Sequence, residues 1–289
     1  MKIHILIFII LLFSLIILFR KYSSSSYYEY FYNSKSDNKI NNSPKIAFCF
    51  LCYGQPYNIN IWKDFFNNNN DKYSVYLHPK YLSKVSDPFF KSKIIKNRIP
   101  TEWGDISLVQ ATINLFKEAF LDDNNKKFIL LSETCLPLYN FNYIYNKILE
   151  NNITYIHHLP WDTNKMKKER YSKLLNQEQI DFKYFRKQSQ WLIFSRDDYT
   201  FLINHIKHIN DYKNMFAPDE QFFINLFTQY KRQFINQMTT YVDWSNKTTP
   251  MEFNKLDNQL IDIGRVSGSL FIRKIKQNAS INIDYLFSL

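Results

Sequence analysis

Phe128-Ile129-Leu130-Leu131-Ser132-Glu133-Thr134-Cys135-Leu136-Pro137-Leu138 is the stretch that decides the fold. A short apolar run closed by a polar triplet reads as a buried strand. Upstream, Ser107 to Leu121 places Val109, Ile113, Phe116 and Phe120 on one helical face, and Ser107 with Gln110 has capping-box spacing. Downstream, the pattern predicts a helix from Asn140 to Glu150 and a short strand at Thr154 to His157. Further out, Lys45 to Leu51 reads as a first buried strand ending at Cys52-Tyr53-Gly54-Gln55-Pro56. Ile59 to Phe66 looks helical, and Tyr73 to Leu77 is a second strand ending at His78-Pro79. Strands alternating with helices predict an α/β fold with a mostly parallel central sheet. In such folds ligands sit beyond the carboxyl ends of the strands. Tyr53-Gly54-Gln55, His78 and Ser132-Glu133-Thr134 occupy such ends.

Composition narrows the function classes. Apolar residues make up 45% of 289, enough for a sizeable core. Asn, Lys, Ile, Tyr and Phe dominate; all have A/T-rich codons, so part of this composition reflects coding drift. The net charge of +11 comes from lysines scattered among Asn and Asp, with no basic run, RNP-type motif or zinc-finger spacing. No nucleic-acid partner is expected. Neither a G-x-G-x-x-G nor a P-loop pattern occurs, which removes the dinucleotide and P-loop classes. Cys49, Cys52 and Cys135 give an odd count and no disulfide framework, and the Cys49/Cys52 spacing reads as strand packing.

Ile3 to Phe19 is apolar apart from His4 and Ser14. At about 1.5 Å per residue it spans roughly 26 Å of helix, close to the roughly 27 Å of an ER-like bilayer core. Residues 1–22 are therefore expected to be an uncleaved membrane anchor, and 23–44 a flexible polar stem. Residues 45–289 form the globular domain. Sequons at Asn41, Asn152, Asn246 and Asn278 agree weakly with a lumenal location.

A second stretch carries the chemistry. In Ala217-Pro218-Asp219-Glu220-Gln221-Phe222-Phe223 a proline and two carboxylates open an apolar helix, as proline and acids do at the positive end of a helix dipole. Around it stand Gln190-Trp191, Tyr241-Val242-Asp243-Trp244-Ser245 and Leu270-Phe271-Ile272-Arg273-Lys274. Together these supply an acid, aromatic platforms and a cationic pair. Asp219, beside Glu220, is expected to be the milder of the two acids on substitution. Asp243 suits a turn-locking role. Asp122-Asp123 and Asp197-Asp198 read as solvated or capping pairs.

Taken with Glu102-Trp103-Gly104-Asp105-Ile106-Ser107 and Arg186-Lys187-Gln188-Ser189-Gln190-Trp191, these motifs resemble, in order over most of residues 45–275, the core-2/I-branching family. Its members are β-1,6-N-acetylglucosaminyltransferases with plant-type relatives, related also to protein xylosyltransferases. The resemblance implies a GT-A-like, Rossmann-type α/β/α sandwich and a single-pass type II topology, with the body in a Golgi- or ER-like lumen, or a host membrane if the source is viral. It also implies inverting transfer from a UDP-sugar. It places the catalytic base on Glu220, a sugar-site tryptophan on Trp244 and a diphosphate-binding lysine on Lys274. Arg265 and Arg273 are the two candidates for the family's second diphosphate-binding cation. His78-Pro79 stands where the family has an acidic residue.

The expected site is therefore Glu220 as base; Lys274, Arg273, Trp244, Tyr53 and Gly54 toward the donor; and Glu133, Trp191 and Arg170 toward the acceptor. No D-x-D occurs anywhere, so Arg273 and Lys274 are expected to meet the diphosphate without a divalent metal or other cofactor. The expected function is transfer of N-acetylglucosamine, with xylose or another UDP-sugar next, to a hydroxyl of a glycan or glycoprotein acceptor. The alternative is a non-catalytic glycan-binding or structural membrane protein that keeps the fold.

Overall fold

Five strands form the central layer of the computed structural model, which describes residues 43–159, 185–246 and 249–289. The expected anchor, all but the last two residues of the expected stem, and Arg170 lie outside the described residues. Among the described residues no helix is long and apolar enough to cross a membrane. In chain order the strands are β1 (Lys45–Cys52), β2 (Tyr73–Pro79), β3 (Asn125–Leu131), β4 (Leu136–Pro137), β5 (Tyr155–Leu159), β6 (Lys187–Ser195), β7 (Thr240–Val242), β8 (Phe253–Leu256), β9 (Phe271–Arg273) and β10 (Ile275–Ile281). The helices are α1 (Ile59–Phe66), α2 (Pro88–Lys91), α3 (Ser107–Phe120), α4 (Phe141–Leu149), α5 (Arg196–Asn204), α6 (Phe222–Gln229), α7 (Asn258–Val266) and α8 (Ile283–Leu286).

The central sheet has the order β2-β1-β3-β6-β5. β1 is parallel to both β2 and β3, while β6 is antiparallel to both β3 and β5. The sheet is thus mostly parallel, as expected, with β6 alone reversed. Register fixes the two faces. Ala47 lies level with Phe128 and Phe48 with Ile129, so alternate side chains leave on opposite sides. On one side Phe48 meets Phe65 and Phe66 of α1 at 5.7 and 5.0 Å, and Phe141 of α4 at 6.4 Å. On the other, Phe128 meets Phe116 of α3 at 5.7 Å and Tyr199 of α5 at 5.9 Å, and Phe194 of β6 meets Phe223 and Phe227 of α6. Helices therefore cover both faces, giving the α/β/α sandwich. Each fully buried phenylalanine contributes about 1.5–3 kcal/mol.

Smaller sheets finish the domain. β4-β9-β7 pairs Leu136 with Ile272 and Val242 with Arg273. β8 and β10 run parallel beside it. All three cysteines are buried and free, as strand packing requires.

Three local expectations change. The capping box at Ser107 and Gln110 does not form. Instead the Asp105 carboxylate accepts from Ser107 N at 2.8 Å, and Ser107 Oγ accepts from Glu102 N at 3.0 Å. Pro218-Asp219-Glu220 does not open α6. It forms a separate 3-10 turn, because Gln221, at φ −143°, breaks the helical path before Phe222. Of the solvated and capping readings of Asp198, the solvated one is excluded, and Asp198 exchanges hydrogen bonds with the N-cap Ser195. Asp198 is 4% exposed and accepts from Thr154 Oγ1, Ser195 Oγ and Arg232 Nε at 2.5, 2.7 and 2.7 Å.

Removing the Asp198 carboxylate leaves two buried hydroxyls without an acceptor. Asp198→Ala is expected to cost about 1–3 kcal/mol in chemical denaturation. Asp197→Ala, next to it but exposed, is expected to stay within about 0.5 kcal/mol.

Candidate active site

The reversal of β6 decides what stands at the carboxyl ends of β1, β2 and β3. It brings the start of a strand, Lys187-Gln188, to that edge. Lys187 pairs in register with Leu159. Its Nζ lies 3.0 Å from Glu220 Oε2, with the two side chains 28% and 27% exposed. The next residue, Gln188, is buried, and its Oε1 accepts from Ile224 N of α6 at 2.6 Å. One end of β6 thus holds both the acid-bearing turn and the helix after it.

The turn is held equally firmly from the other side. Ala217 adopts a left-handed backbone, φ 52°, which costs an L residue roughly 1–2 kcal/mol. Its N–H donates to Gly104 O at 2.9 Å, tying Glu102-Trp103-Gly104-Asp105 to the acid turn. Gly104 itself has φ 74°, and an added Cβ would sit 3.1 Å from the Phe216 ring. Glu220 N closes the turn onto Ala217 O at 3.1 Å.

The two neighbouring acids fare differently. Glu220 is part-exposed and paired. Asp219 is only 7% exposed, and its Oδ1 has no hydrogen-bond partner. Burial first, and the adjacent Glu220 second, push its carboxyl up to about 7 from 3.8. Of the two acids, Asp219 is thus the dry one and Glu220 the part-exposed one.

A second cluster forms where β4, β9 and the end of β3 meet. The Arg273 guanidinium lies 4.4 Å from the centre of the Trp191 ring, and its buried Nε has no partner. Burial lowers the Arg273 pKa, while Cys135, Glu133 and Glu252 oppose that shift. Trp191 is 4% exposed, so the ring expected to face an acceptor is occupied as a bed for Arg273. Lys274 Nζ approaches Glu252 Oε1 at 3.8 Å. Glu133 is half-buried, and its backbone carbonyl accepts from Tyr57 N at 2.7 Å. Trp244 is 53% exposed just after β7. Asp243 locks the turn beneath it through Ser245 N at 2.8 Å, as its sequence position suggested.

Several expected or candidate residues are occupied elsewhere. Arg265 spends its donors on Leu138 O, Tyr285 O and Leu286 O at 2.9–3.1 Å, which leaves Arg273 as the candidate second cation among the described residues. His78 is fully buried; its Nε2 accepts from Ile99 N at 3.1 Å, and burial lowers it to about 4. It therefore holds the 98–99 loop as a neutral ring. Tyr53 and Gly54 line a cavity of about 770 Å³ with Tyr57, Asn58, Lys84 and Asn278; Glu220, Lys274 and Trp244 are not among its lining residues. Lys84 Nζ lies 4.3 Å over the Tyr53 ring, and a Cβ on Gly54 would come within 2.6 Å of Lys84 Cβ. Gly54 is thus required for close packing. Sequence reasoning missed Lys187 as a partner of Glu220, since only the reversed strand reveals it.

A family model described as Core-2/I-Branching enzyme matches residues 46–266. The chain belongs to the Core-2/I-Branching enzyme family. It is also similar to "Glycosyltransferase BC10" of Oryza sativa subsp. japonica, 28% identical over 159 residues. That match spans 53% of this chain and 38% of the rice protein, so well under two thirds of the relative's length is covered. The motifs that carry the family resemblance are those the fold gathers: 102–107 against 217, and 187–188 against 220 and 224.

The dry carboxyl gives a pH test. The unfolded chain releases the Asp219 proton near 3.8, whereas the folded chain holds it to about 7. Folded stability therefore falls as pH rises from about 4 to about 7, by on the order of 2–4 kcal/mol. Asp219→Asn removes that fall. The melting-temperature difference, Asn variant minus parent, is expected to grow in favour of Asn between pH 5 and pH 8; a pH-independent difference would contradict the burial.

Proposed function

We propose that the protein is an inverting glycosyltransferase that moves a sugar from a UDP-sugar to a hydroxyl of a glycan acceptor. N-acetylglucosamine is the first candidate sugar. The observation that carries this reading is Glu220: a part-exposed carboxylate on a braced turn at the ligand edge of the sheet, in a chain of this family. In the proposed step Glu220 takes the acceptor hydroxyl proton, and that oxygen forms a bond to the anomeric carbon. The bond from the anomeric carbon to the diphosphate breaks, and its electron pair leaves with the nucleoside diphosphate. Attack opposite the leaving group inverts the configuration.

The leaving diphosphate needs positive charge. Arg273 and Lys274 are adjacent, and Arg273 is fixed on Trp191. With no D-x-D in the sequence, these two cations are proposed to meet the diphosphate without a divalent metal. Trp244, half-exposed beside β9's neighbour β7, is proposed for the donor sugar, and Glu133 for acceptor or donor hydroxyls. The apolar segment Ile3–Phe19 is proposed to anchor the chain with its body in the lumen of a Golgi- or ER-like compartment.

Glu220→Gln keeps shape and charge-free hydrogen bonding but removes proton acceptance. Turnover is expected to fall about 10²–10⁴-fold, with UDP affinity nearly unchanged by calorimetry. Near-normal turnover would remove Glu220 as base and make Glu133 the next acid to test. Activity is expected to survive EDTA; loss on chelation with recovery in Mn²⁺ would overturn the assignment of Arg273 and Lys274.

A further inference from the structure

Glu220 does not stand alone at its edge. Its Oε2 carries the Lys187 ammonium at 3.0 Å, and no other ion pair of Lys187 occurs among the described residues. The two partners differ in kind. Lys187 is the first residue of a sheet strand, in register with Leu159. Glu220 sits on a three-residue turn that follows a left-handed alanine. The contact therefore ties a short, locally strained turn to a rigid element. Gln188, one residue along, ties the following helix to the same strand through Ile224 N at 2.6 Å.

We propose that Lys187 is a positioning residue: its ammonium holds Glu220 Oε2 and leaves Oε1 as the oxygen that takes the acceptor proton. This rests on the reading of Glu220 as base. A free glutamate samples several rotamers, and ordering it during reaction raises the barrier. An ion pair formed before the acceptor arrives removes that cost and sets the direction of the free oxygen. A purely structural lysine would instead act on folding and leave the chemical step alone.

The test uses the full chain as parent, Lys187→Met, Lys187→Arg, Glu220→Gln and the Met/Gln double variant. UDP release from UDP-N-acetylglucosamine is followed, and UDP binding is measured by calorimetry. Lys187→Met is expected to lower kcat about 10- to 100-fold with UDP affinity unchanged, and Lys187→Arg to restore most of it. In the Gln background the Met change is expected to add less than about twofold, because Lys187 acts through Glu220. An equal loss in both backgrounds, or a loss of UDP affinity with kcat retained, overturns the proposal. A fully active Lys187→Met beside an inactive Glu220→Gln overturns it while leaving the base reading intact. A fully active Glu220→Gln sinks both. Melting temperatures of the parent, Lys187→Met, Glu220→Gln and the double variant test the contact without substrate. A coupling of about one to a few degrees is expected; strictly additive shifts overturn the pairing.

Discussion

β6 runs against every other strand of the central sheet, and the arrangement of the site depends on that reversal. In an all-parallel sheet the ligand edge is built from strand ends and the loops that follow them. Here the edge also receives a strand start. Lys187 and Gln188 arrive there with their backbone already fixed by pairing to β5. They can therefore hold the 218–220 turn and the α6 backbone without help from a mobile loop. The turn in return accepts a left-handed Ala217, whose strain is offset by the hydrogen bond to Gly104 and the ion pair to Lys187.

The site divides its charges between wet and dry places. Glu220 is part-exposed and paired with the Lys187 ammonium, which suits the base role proposed for it. Asp219, next in the chain, is buried with an unpaired oxygen and holds its proton up to about 7. Arg273 lies on Trp191, a planar cation over a ring face, with its Nε buried and unpartnered. A guanidinium pinned in this way is oriented before any anion arrives, which suits a group proposed to meet a diphosphate. The three-stranded sheet sets the spacing: Val242 opposite Arg273 brings the chain before Trp244 alongside the cations.

Much of this was legible in the sequence. The apolar runs at 45–51, 73–77 and 128–131 and the helix stripe at 107–121 all appear within a few residues of their predicted limits. Apolar period depends on local chemistry, so it survives without tertiary information. Three things did not survive. Strand direction is a tertiary property, so the Lys187–Glu220 pair was invisible. Burial of a polar side chain depends on what packs over it, so the sequence pattern placed His78 at a ligand-side strand end and Asp219 at a helix start without showing that both are buried. Side-chain donors can also be claimed by distant carbonyls: Arg265, the other candidate beside the expected Arg273, is held by Leu138, Tyr285 and Leu286. Trp191 was noticed for its ring, but its partner lies 82 positions away, on β9.

Zero-length carbodiimide cross-linking of the folded chain, followed by peptide mapping, probes the Lys187–Glu220 contact most directly. An ammonium and a carboxylate 3.0 Å apart can be joined without a spacer. An amide between Lys187 and Glu220 is expected, abolished by Lys187→Arg. A Lys187 joined to a different acid, or a Glu220 that is activated but never linked to Lys187, would contradict it.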